Sequence, residues 1–207
     1  MDFSEAQLLE RAAHGDQAAF EEIVKAHEKN VYTLALRMSH NREDALDLSQ
    51  EIFLRVYKAL PGFKGEASFS TWLYRLSYNL CVDHIRKVKR RNELPLTVHY
   101  SDSTEEQEID WPDARYNPES EWEKKELRES IALSMEKLTP EQRAILTFRE
   151  IQGLSYDEIA RTLKLSEGTV KSRLARAREA LRKILVSKGN YFDSDSSKSS
   201  REVNRHD

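Results

Sequence analysis

The sequence predicts an all-α protein with two helical domains joined by a flexible acidic linker, and three observations support that prediction. Apolar residues recur at steps of three and four through most of the chain, which is the period of an amphipathic helix. Proline and glycine are scarce, with five and six copies among 207 residues, and most of them stand between the periodic segments. The stretch 93–117 is acidic, polar and without a helical period. We therefore expect helical domains at 1–92 and 118–186, a linker at 93–117 and a disordered tail at 187–207.

Four helices are expected in the first domain. Ser4, Asp16 and Asn41 stand just before its first three periodic segments, where N-cap residues belong. A loop at 63–68 then leads to a fourth helix that is expected to run to about Arg91. A group of this size can bury a sizeable helical core.

The second domain is expected to contain a helix-turn-helix. Thr139 followed by Pro140 gives an N-cap and a proline in the first helical turn. Ser155 and Glu158 have capping-box spacing, and Ser166 can begin the next helix after a tight turn. In that last helix the apolar residues return to one face, which leaves polar and basic residues on the others. Two short helices joined in this way, with the second basic along one side, are typical of a reader of duplex DNA.

The distribution of charge favours contact with nucleic acid, although the net charge is −3. Residues 63–92 and residues 140–188 each carry a surplus of five positive charges, whereas residues 93–129 carry a surplus of eight negative ones. Two basic blocks around an acidic one predict two DNA-facing modules and a connector that avoids or mimics DNA. Charged runs are about as often plain solvated surfaces, so on charge alone both interpretations stay open.

The fourth helix combines an apolar stripe with a second stripe that suits unpaired DNA. The stripe expected to be buried is Phe69, Leu73, Leu76 and Leu80. The second stripe is Trp72, Arg75, Asn79, Asp83, Arg86 and Arg90. An aromatic and an amide among cations suit stacking on bases while phosphates are held nearby. An ordinary amphipathic helix, with Trp72 in the core and Asp83 paired to Arg86, fits the same spacing.

Two other polar segments are ambiguous from their residues alone. The loop at 63–68 has a glycine and small polar side chains that could surround an extruded base, but a plain connecting loop is the better interpretation. The third helix is polar opposite its core side, and such a face can be solvated or can dock on a partner helix. That polar face consists of Asp44, Asp47, Gln50, Glu51, Arg55 and Lys58.

No catalytic, metal-binding or membrane feature is expected. Cys81 and His84 could supply half a metal site, but no second pair follows, and a buried cysteine is the better interpretation. No phosphate-binding loop or nucleophile motif occurs, so we expect no enzymatic activity, no metal and no cofactor. No segment approaches the roughly 18 apolar residues of a membrane span, and the N-terminus is not a signal peptide. With a single cysteine and no internal disulfide, the expected location is the cytoplasm, without membrane insertion.

Several segments of both domains resemble those of a known family. The chain resembles the second conserved region of sigma-70 factors in segments 47–55 and 69–76 and at Asn79, Asp83 and Arg86. The chain resembles the fourth conserved region of sigma-70 factors in segments 138–143 and 168–178. Only these two regions are present, in the right order and spacing, which resembles the extracytoplasmic-function (ECF) group. The resemblance implies a protein that binds core RNA polymerase, confers promoter recognition and helps to open the duplex.

The resemblance also implies roles for individual residues. The third helix would dock on the clamp helices of the beta-prime subunit through Asp47, Gln50, Glu51 and Arg55. The loop and the fourth helix would capture −10 single-stranded promoter DNA through Phe63, Lys64, Ser68, Trp72, Arg75, Asn79, Arg86 and Arg90. The last helix would lie in the −35 major groove, with contacts from Thr169, Lys171, Ser172, Arg173, Arg176 and Arg178. The beta flap of the polymerase would be a further contact, and the linker would thread near the path of the nascent RNA.

Family members are commonly held inactive by an anti-sigma factor, often membrane-attached, so the resemblance implies such a partner for an otherwise monomeric chain. The alternative is a stand-alone helix-turn-helix regulator, which would bind a duplex operator as a symmetric dimer. The aromatic and basic stripe of the fourth helix argues against that alternative. The small Ala175 and the hydrophilic tail beyond Val186 depart from the family pattern, so the −35 preference and the role of the tail stay open.

Overall fold

The structure is a computed structural model that describes residues 5–93 and 118–188, where every regular element is helical. The elements of the first domain are α1 (Glu5–Ala13), α2 (Gln17–Ser39), α3 (Arg42–Ala59), a 3₁₀ turn (Leu60–Gly62) and α4 (Phe69–Glu93). The elements of the second are α5 (Pro118–Glu136), α6 (Pro140–Leu146), a π-helical turn (Thr147–Ile151), α7 (Tyr156–Leu163) and α8 (Glu167–Lys188). The predicted all-α class is confirmed. The predicted Ser4 cap, the linker beyond Glu93 and the tail beyond Lys188 lie outside the described residues.

Five of the predicted N-caps begin helices of the described residues, namely Asp16, Asn41, Thr139, Ser155 and Ser166. Asp16 and Asn41 accept hydrogen bonds from backbone N–H groups three residues further on, at 3.1 and 3.0 Å. Thr139 and Ser155 each form a complete capping box. The side chain of each accepts a hydrogen bond from the backbone N–H three residues further on, and the side chain of that residue accepts one from the backbone N–H of the cap. Since these caps satisfy donors that a helix start leaves unpaired, they fix the starts of α2, α3, α6, α7 and α8.

Both domains are built around fully buried aliphatic side chains. In the first domain α2 packs against α1, α3 and α4, and in the second α8 packs against α5, α6 and α7. Buried side chains of the first domain include Val31, Leu34, Ile52, Val56 and Leu73. Those of the second include Ile145, Ile159, Val170 and Leu174. The two sets belong to one continuous core, because α6 also packs on α2, and α7 on α4.

The predicted buried stripe of α4 was wrong in its second half. Leu76 and Leu80 are only half-buried, whereas Tyr74, Ser77 and Cys81 are buried. The reason is that the second domain covers the side of α4 that carries Tyr74. The hydroxyl of the buried Ser77 donates to the carbonyl of Leu73 at 2.8 Å, so this polar group is satisfied inside the helix. In the described part of the chain, no helix is long and apolar enough to cross a membrane.

Candidate nucleic-acid interface

α8 presents its predicted DNA-contacting residues on a helix that is fixed by its opposite face. Val170, Leu174 and Ala177 are at most 1% exposed and hold α8 against the core. Ser166 accepts a hydrogen bond from the backbone N–H of Thr169 at 3.2 Å and caps the helix start. The predicted residues that face solvent are Lys171, Ser172, Arg173, Arg176 and Arg178, and Thr169 is half-buried. The helix therefore offers a mostly cationic face to a major groove.

Two cations of this face are engaged within the second domain. Arg178 donates to the Glu150 carboxylate through Nη2 at 2.6 Å and through Nε at 3.0 Å, and this bond raises the pKa of the Arg178 guanidinium. Lys171 Nζ lies 5.7 Å from the centre of the Tyr156 ring, within the range of a cation–π interaction. Because the Arg178–Glu150 pair is about half exposed, it is weak enough for a DNA phosphate to compete with the carboxylate.

A cavity of about 340 Å³ opens where the loop after α3 meets the start of α4. Four of the predicted single-strand residues line it, namely Phe63, Lys64, Trp72 and Arg75. The Trp72 ring is half-buried and packs against the rings of Phe63 and Phe69, with centroid distances of 5.2 and 5.7 Å. Trp72 is thus neither a core residue nor a free surface residue. An aromatic wall beside cationic groups is the combination that suits an unpaired base and its phosphate.

Ser68 has a structural role at the start of α4. Its hydroxyl accepts a hydrogen bond from the backbone N–H of Thr71 at 3.2 Å and lies 2.8 Å from Thr71 Oγ1. These are the contacts of an N-cap, and the cavity lining includes Thr71 rather than Ser68. Ser68 therefore positions the first turn of α4, which carries Trp72 on its outer side.

The remaining predicted single-strand residues extend along α4 away from the cavity. Asn79, Arg86 and Arg90 are exposed or half-exposed, and the last of them lies about 22 Å along the helix axis from Arg75. Arg86 lies 3.7 Å from Asp83, a contact between two exposed side chains that contributes little. The structure thus brings four of the predicted residues together at the cavity. Beyond it, Asn79, Arg86 and Arg90 form a basic track along α4.

The outer surface of α2 and α3 holds a large apolar groove, which was not predicted from the sequence. Its volume is about 840 Å³, and its lining includes Phe20, Val24, Phe53 and Leu54. Leu46 and Leu54 are 48% and 61% exposed and line the same groove, so they form a contiguous apolar surface rather than scattered exposed side chains. Of the four predicted polymerase-binding residues, Gln50 lines the groove, while Asp47, Glu51 and Arg55 are exposed elsewhere on α3. The signal in the sequence is that Leu46, Gln50 and Leu54 share one helical stripe outside the core face.

The described residues contain no group of three or more potential ligands that could hold a metal ion. Cys81 is fully buried, and burial raises the pKa of its thiol to about 12. Its sulfur is therefore an inert part of the core rather than a ligand or a nucleophile.

The helix-turn-helix of α7 and α8, the exposed cationic side of α8 and the aromatic cavity beside α4 are together features of the class of helical nucleic-acid-binding proteins. Comparisons with known proteins place the chain in a family. The model of Sigma-70 region 2 matches residues 23–91, and the model of Sigma-70, region 4 matches residues 128–181. The RNA polymerase sigma-H factor of Pseudomonas aeruginosa is 35% identical over 181 residues, which cover 86% of this chain and 92% of that protein. The ECF RNA polymerase sigma-E factor of Escherichia coli K12 is 36% identical over 177 residues, with coverages of 84% and 90%.

Solved structures agree on the fold. The structure of CnrH in complex with the cytosolic domain of CnrY matches with a TM-score of 0.62 at 24% identity, covering 88% of this chain and 97% of that one. The sigma factor RpoE in complex with the anti-sigma factor NepR, from Bartonella quintana, matches with a TM-score of 0.63 at 19% identity, with coverages of 82% and 98%. The chain belongs to the sigma-70 family and is an RNA polymerase sigma factor of the ECF type. The comparisons support this identification and not the alternative of a stand-alone regulator.

Proposed function

We propose that this chain directs core RNA polymerase to promoters by gripping −35 duplex with α8 and −10 single-stranded DNA with α4. The observation that supports this most directly is the aromatic cavity formed by Phe63 and Trp72, which a reader of duplex operators would not need. A cavity of about 340 Å³ falls within the range of small-ligand pockets. One extruded base would enter it, and the strand would continue along the basic track of α4.

On the −35 element, α8 would lie in the major groove with its N-terminal turns against base edges. We assign base-edge contacts to Ser172, Arg173 and Arg176. Lys171 and Arg178 would hold phosphates, which fix the register of the helix without carrying sequence information. Thr169, half-buried in the first turn, would set how deeply the helix start enters the groove.

Core polymerase would dock on the apolar groove of α2 and α3. A groove lined by exposed apolar side chains accepts the apolar face of an amphipathic helix. We propose that the clamp helices of the beta-prime subunit occupy this groove, where they would meet Gln50. Asp47, Glu51 and Arg55 would contact them from the neighbouring exposed surface of α3. The sigma factor RpoE of Bartonella quintana was solved in complex with the anti-sigma factor NepR, and we propose that an anti-sigma factor likewise keeps this chain from the polymerase. In the second domain, the exposed Leu133 and Ile151 are our candidates for the contact with the beta flap.

The proposed role needs no catalytic group in this chain and places it in the cytoplasm, where the polymerase works. Sigma factors are initiation factors without chemistry of their own. The polymerase forms the phosphodiester bonds, and this chain would supply position and strand capture.

Run-off transcription tests the proposal. Purified chain and core polymerase would be incubated with a library of duplexes that are randomised around −35 and −10. We expect transcripts only when both proteins are present, from templates enriched for two short elements. A chain that binds duplex operators tightly alone but never stimulates initiation would contradict the proposal. A Leu54→Glu variant should lose stimulation while keeping the thermal stability of the parent, because Leu54 is exposed.

A further inference from the structure

The aromatic wall of the cavity beside α4 is supported by a third ring from inside the first domain. Phe63 and Trp72 line the cavity, and their ring centroids lie 5.9 and 5.7 Å from that of Phe69. Phe69 is the first residue of α4 and is 2% exposed, so it lies behind the cavity. Because both cavity rings pack on it, the position of the Phe69 ring sets the positions of both.

The Phe69 ring is held in turn by a buried histidine of α2. The centroid of the His27 ring lies 5.2 Å from that of Phe69, and the two ring planes meet at 62°. Edge-to-face packing of this kind is favourable and depends on the orientation of both rings. His27 is 9% exposed, so its imidazole is part of the packing that supports Phe69 from the core side.

The orientation of His27 is fixed from α1. Its Nε2 lies 3.2 Å from Glu5 Oε1 and donates a hydrogen bond, because a carboxylate oxygen accepts. A buried imidazole with an unpaired N–H group is costly, so this bond determines which way the ring faces. Glu5 begins α1, and its side chain is 56% exposed. α1 also packs against the 3₁₀ turn that leads into Phe63. The short first helix thus supports the cavity wall by two routes.

We propose that His27, held by Glu5, is a positioning residue for single-strand capture, because it fixes the Phe69 ring on which the cavity wall rests. This inference deepens the proposed function and rests on it. His27 itself would touch no DNA. It would hold the cavity rings in the arrangement that an extruded base requires, so that less conformational freedom is lost when the strand binds.

The chain offers a matched control for the simpler role of docking α1 on α2. Arg11 of α1 donates through Nη2 to Asp16 Oδ2 at 2.6 Å, and Asp16 is the N-cap of α2. This pair joins the same two helices, but Asp16 precedes His27 by roughly 16 Å along the axis of α2. Arg11→Gln therefore weakens the attachment of α1 without removing a ring from the aromatic cluster.

The fluorescence of Trp72 measures the packing of the cavity wall without any DNA. The chain has three tryptophans, so Trp111→Phe with Trp122→Phe leaves Trp72 as the single emitter. Acrylamide quenching in that background reports how accessible the Trp72 ring is in the free, folded chain. Urea unfolding of each variant gives the folded fraction with which every signal is corrected.

Two substitutions of His27 separate its ring from its hydrogen bond. His27→Gln keeps a donor within reach of Glu5 but leaves no ring against Phe69, and it should raise the quenching constant of Trp72 about 1.5- to threefold. His27→Phe keeps a ring against Phe69 and loses the donor, and it should remain close to the parent. Arg11→Gln should leave the quenching unchanged.

Substitutions of Glu5 test how the His27 ring is oriented. Glu5→Ala leaves the buried N–H group unpaired and should reproduce part of the effect of His27→Gln. Glu5→Gln keeps an oxygen that accepts and should restore the parent value. Glu5→Ala should have no effect in the His27→Phe background, where no ring nitrogen needs a partner. An unchanged Glu5→Ala variant would overturn the role assigned to Glu5.

Strand capture is measured with holoenzyme assembled from core polymerase and each variant. The probe is a fluorescein-labelled single strand, the non-template −10 strand of a promoter selected by run-off transcription. We expect His27→Gln to weaken its binding about three- to tenfold, and to lower transcription from duplex promoters more than from templates already open over the −10 element. In the Trp72→Ala background, His27→Gln should cause less than about a twofold further loss, because it acts through that ring.

Four outcomes would overturn the inference. Unchanged quenching of Trp72 in His27→Gln would show that the histidine does not hold the cavity wall. Equal losses of strand binding by His27→Gln and Arg11→Gln would mean that both report only the docking of α1. Losses that multiply in the Trp72→Ala background would place the action of His27 elsewhere. If quenching responds as expected while the parent holoenzyme neither binds the strand nor starts transcripts, the proposed function fails, and strand capture by way of His27 fails with it.

Discussion

The two surfaces that we propose bind DNA are built on different principles. The surface on α8 is one exposed helical face, and its residues need only a buried opposite face to be presented correctly. The surface on α4 is a cavity, made where a loop, a helix start and three aromatic rings meet. Duplex DNA already displays base edges in a groove of fixed shape, so a helix face suffices to read it. An extruded base has to be enclosed, and enclosure requires tertiary structure.

The largest expected effect comes from the cavity. Trp72→Ala removes both a stacking surface and a support for Phe63, and loss of stacking costs about 1–3 kcal/mol per base. We expect run-off transcription from duplex promoters to fall about 10- to 100-fold, with a smaller loss on templates that are already open over the −10 element. Binding to −35 duplex should be unchanged, because α8 does not depend on the cavity.

The control for this substitution is Trp72→Phe, which retains an aromatic face and should keep much of the activity. Thermal unfolding of both variants would show whether the fold survives. An equal loss on open and duplex templates would remove the assigned role of Trp72 in strand capture. A parallel loss of −35 binding would erase the distinction between the two surfaces.

The next effect concerns the helix face. Arg176→Ala should weaken binding to −35 duplex about 5- to 50-fold, because a good base-edge contact contributes about 1–3 kcal/mol of discrimination. It should also relax the preference at one base position, which a −35 library selection would measure. Arg182→Ala, on the same helix but paired with Glu179, is the control and should leave the preference intact. Uniform weakening over all sequences would indicate a phosphate contact instead.

Substitution of Glu150 is expected to have a smaller effect on −35 duplex binding and to strengthen that binding rather than weaken it. Glu150→Gln weakens the charge-assisted bonds that hold Arg178 and leaves its guanidinium available to phosphate. We expect −35 duplex binding to tighten about two- to fivefold and the salt dependence to steepen by up to about one counterion. Glu179→Gln removes an equivalent charge from the Arg182 pair and should change neither quantity. Unchanged binding by Glu150→Gln would mean that Arg178 does not reach the DNA backbone.

The contrast between a helix face and a cavity also explains which features of the fold and the site could be predicted from the sequence. Caps such as Asp16 and Ser155 and the buried face of α8 depend on residues within one or two helical turns, so local spacing predicts them. The groove beside Leu54 and the burial of Tyr74 depend on which helices become neighbours. Spacing along one helix does not contain that information. The N-cap role of Ser68 is a further feature that the resemblance does not supply, because it depends on the contact between its hydroxyl and Thr71 at the start of α4.

The last expected effect concerns the contact between the domains, and it is an effect on stability rather than on DNA binding. His40 caps the C-terminal end of α2 in a left-handed conformation, with φ of 57°. Burial, with Arg143 and Arg37 nearby, lowers the pKa of His40 from 6.5 to about 4, although Glu136 Oε1 lies 3.9 Å from its Nδ1. The folded chain therefore holds this histidine neutral at pH values where the unfolded chain protonates it. Its contribution to stability is complete above pH 6.5 and declines as the pH falls from about 6.5 towards 4.

Urea unfolding between pH 8 and pH 5 measures this contribution. The comparison is with His40→Asn, since asparagine tolerates a left-handed backbone and does not titrate. We expect the parent to lose more stability than the variant on acidification, because protonated His40 would meet the guanidinium groups of Arg37 and Arg143. The same acidification should open the contact between α2 and α6 before either helix unfolds, seen as faster hydrogen exchange at Met38 and Arg143. Identical pH profiles would mean that His40 is solvated in the free chain and contributes nothing to the contact between the domains.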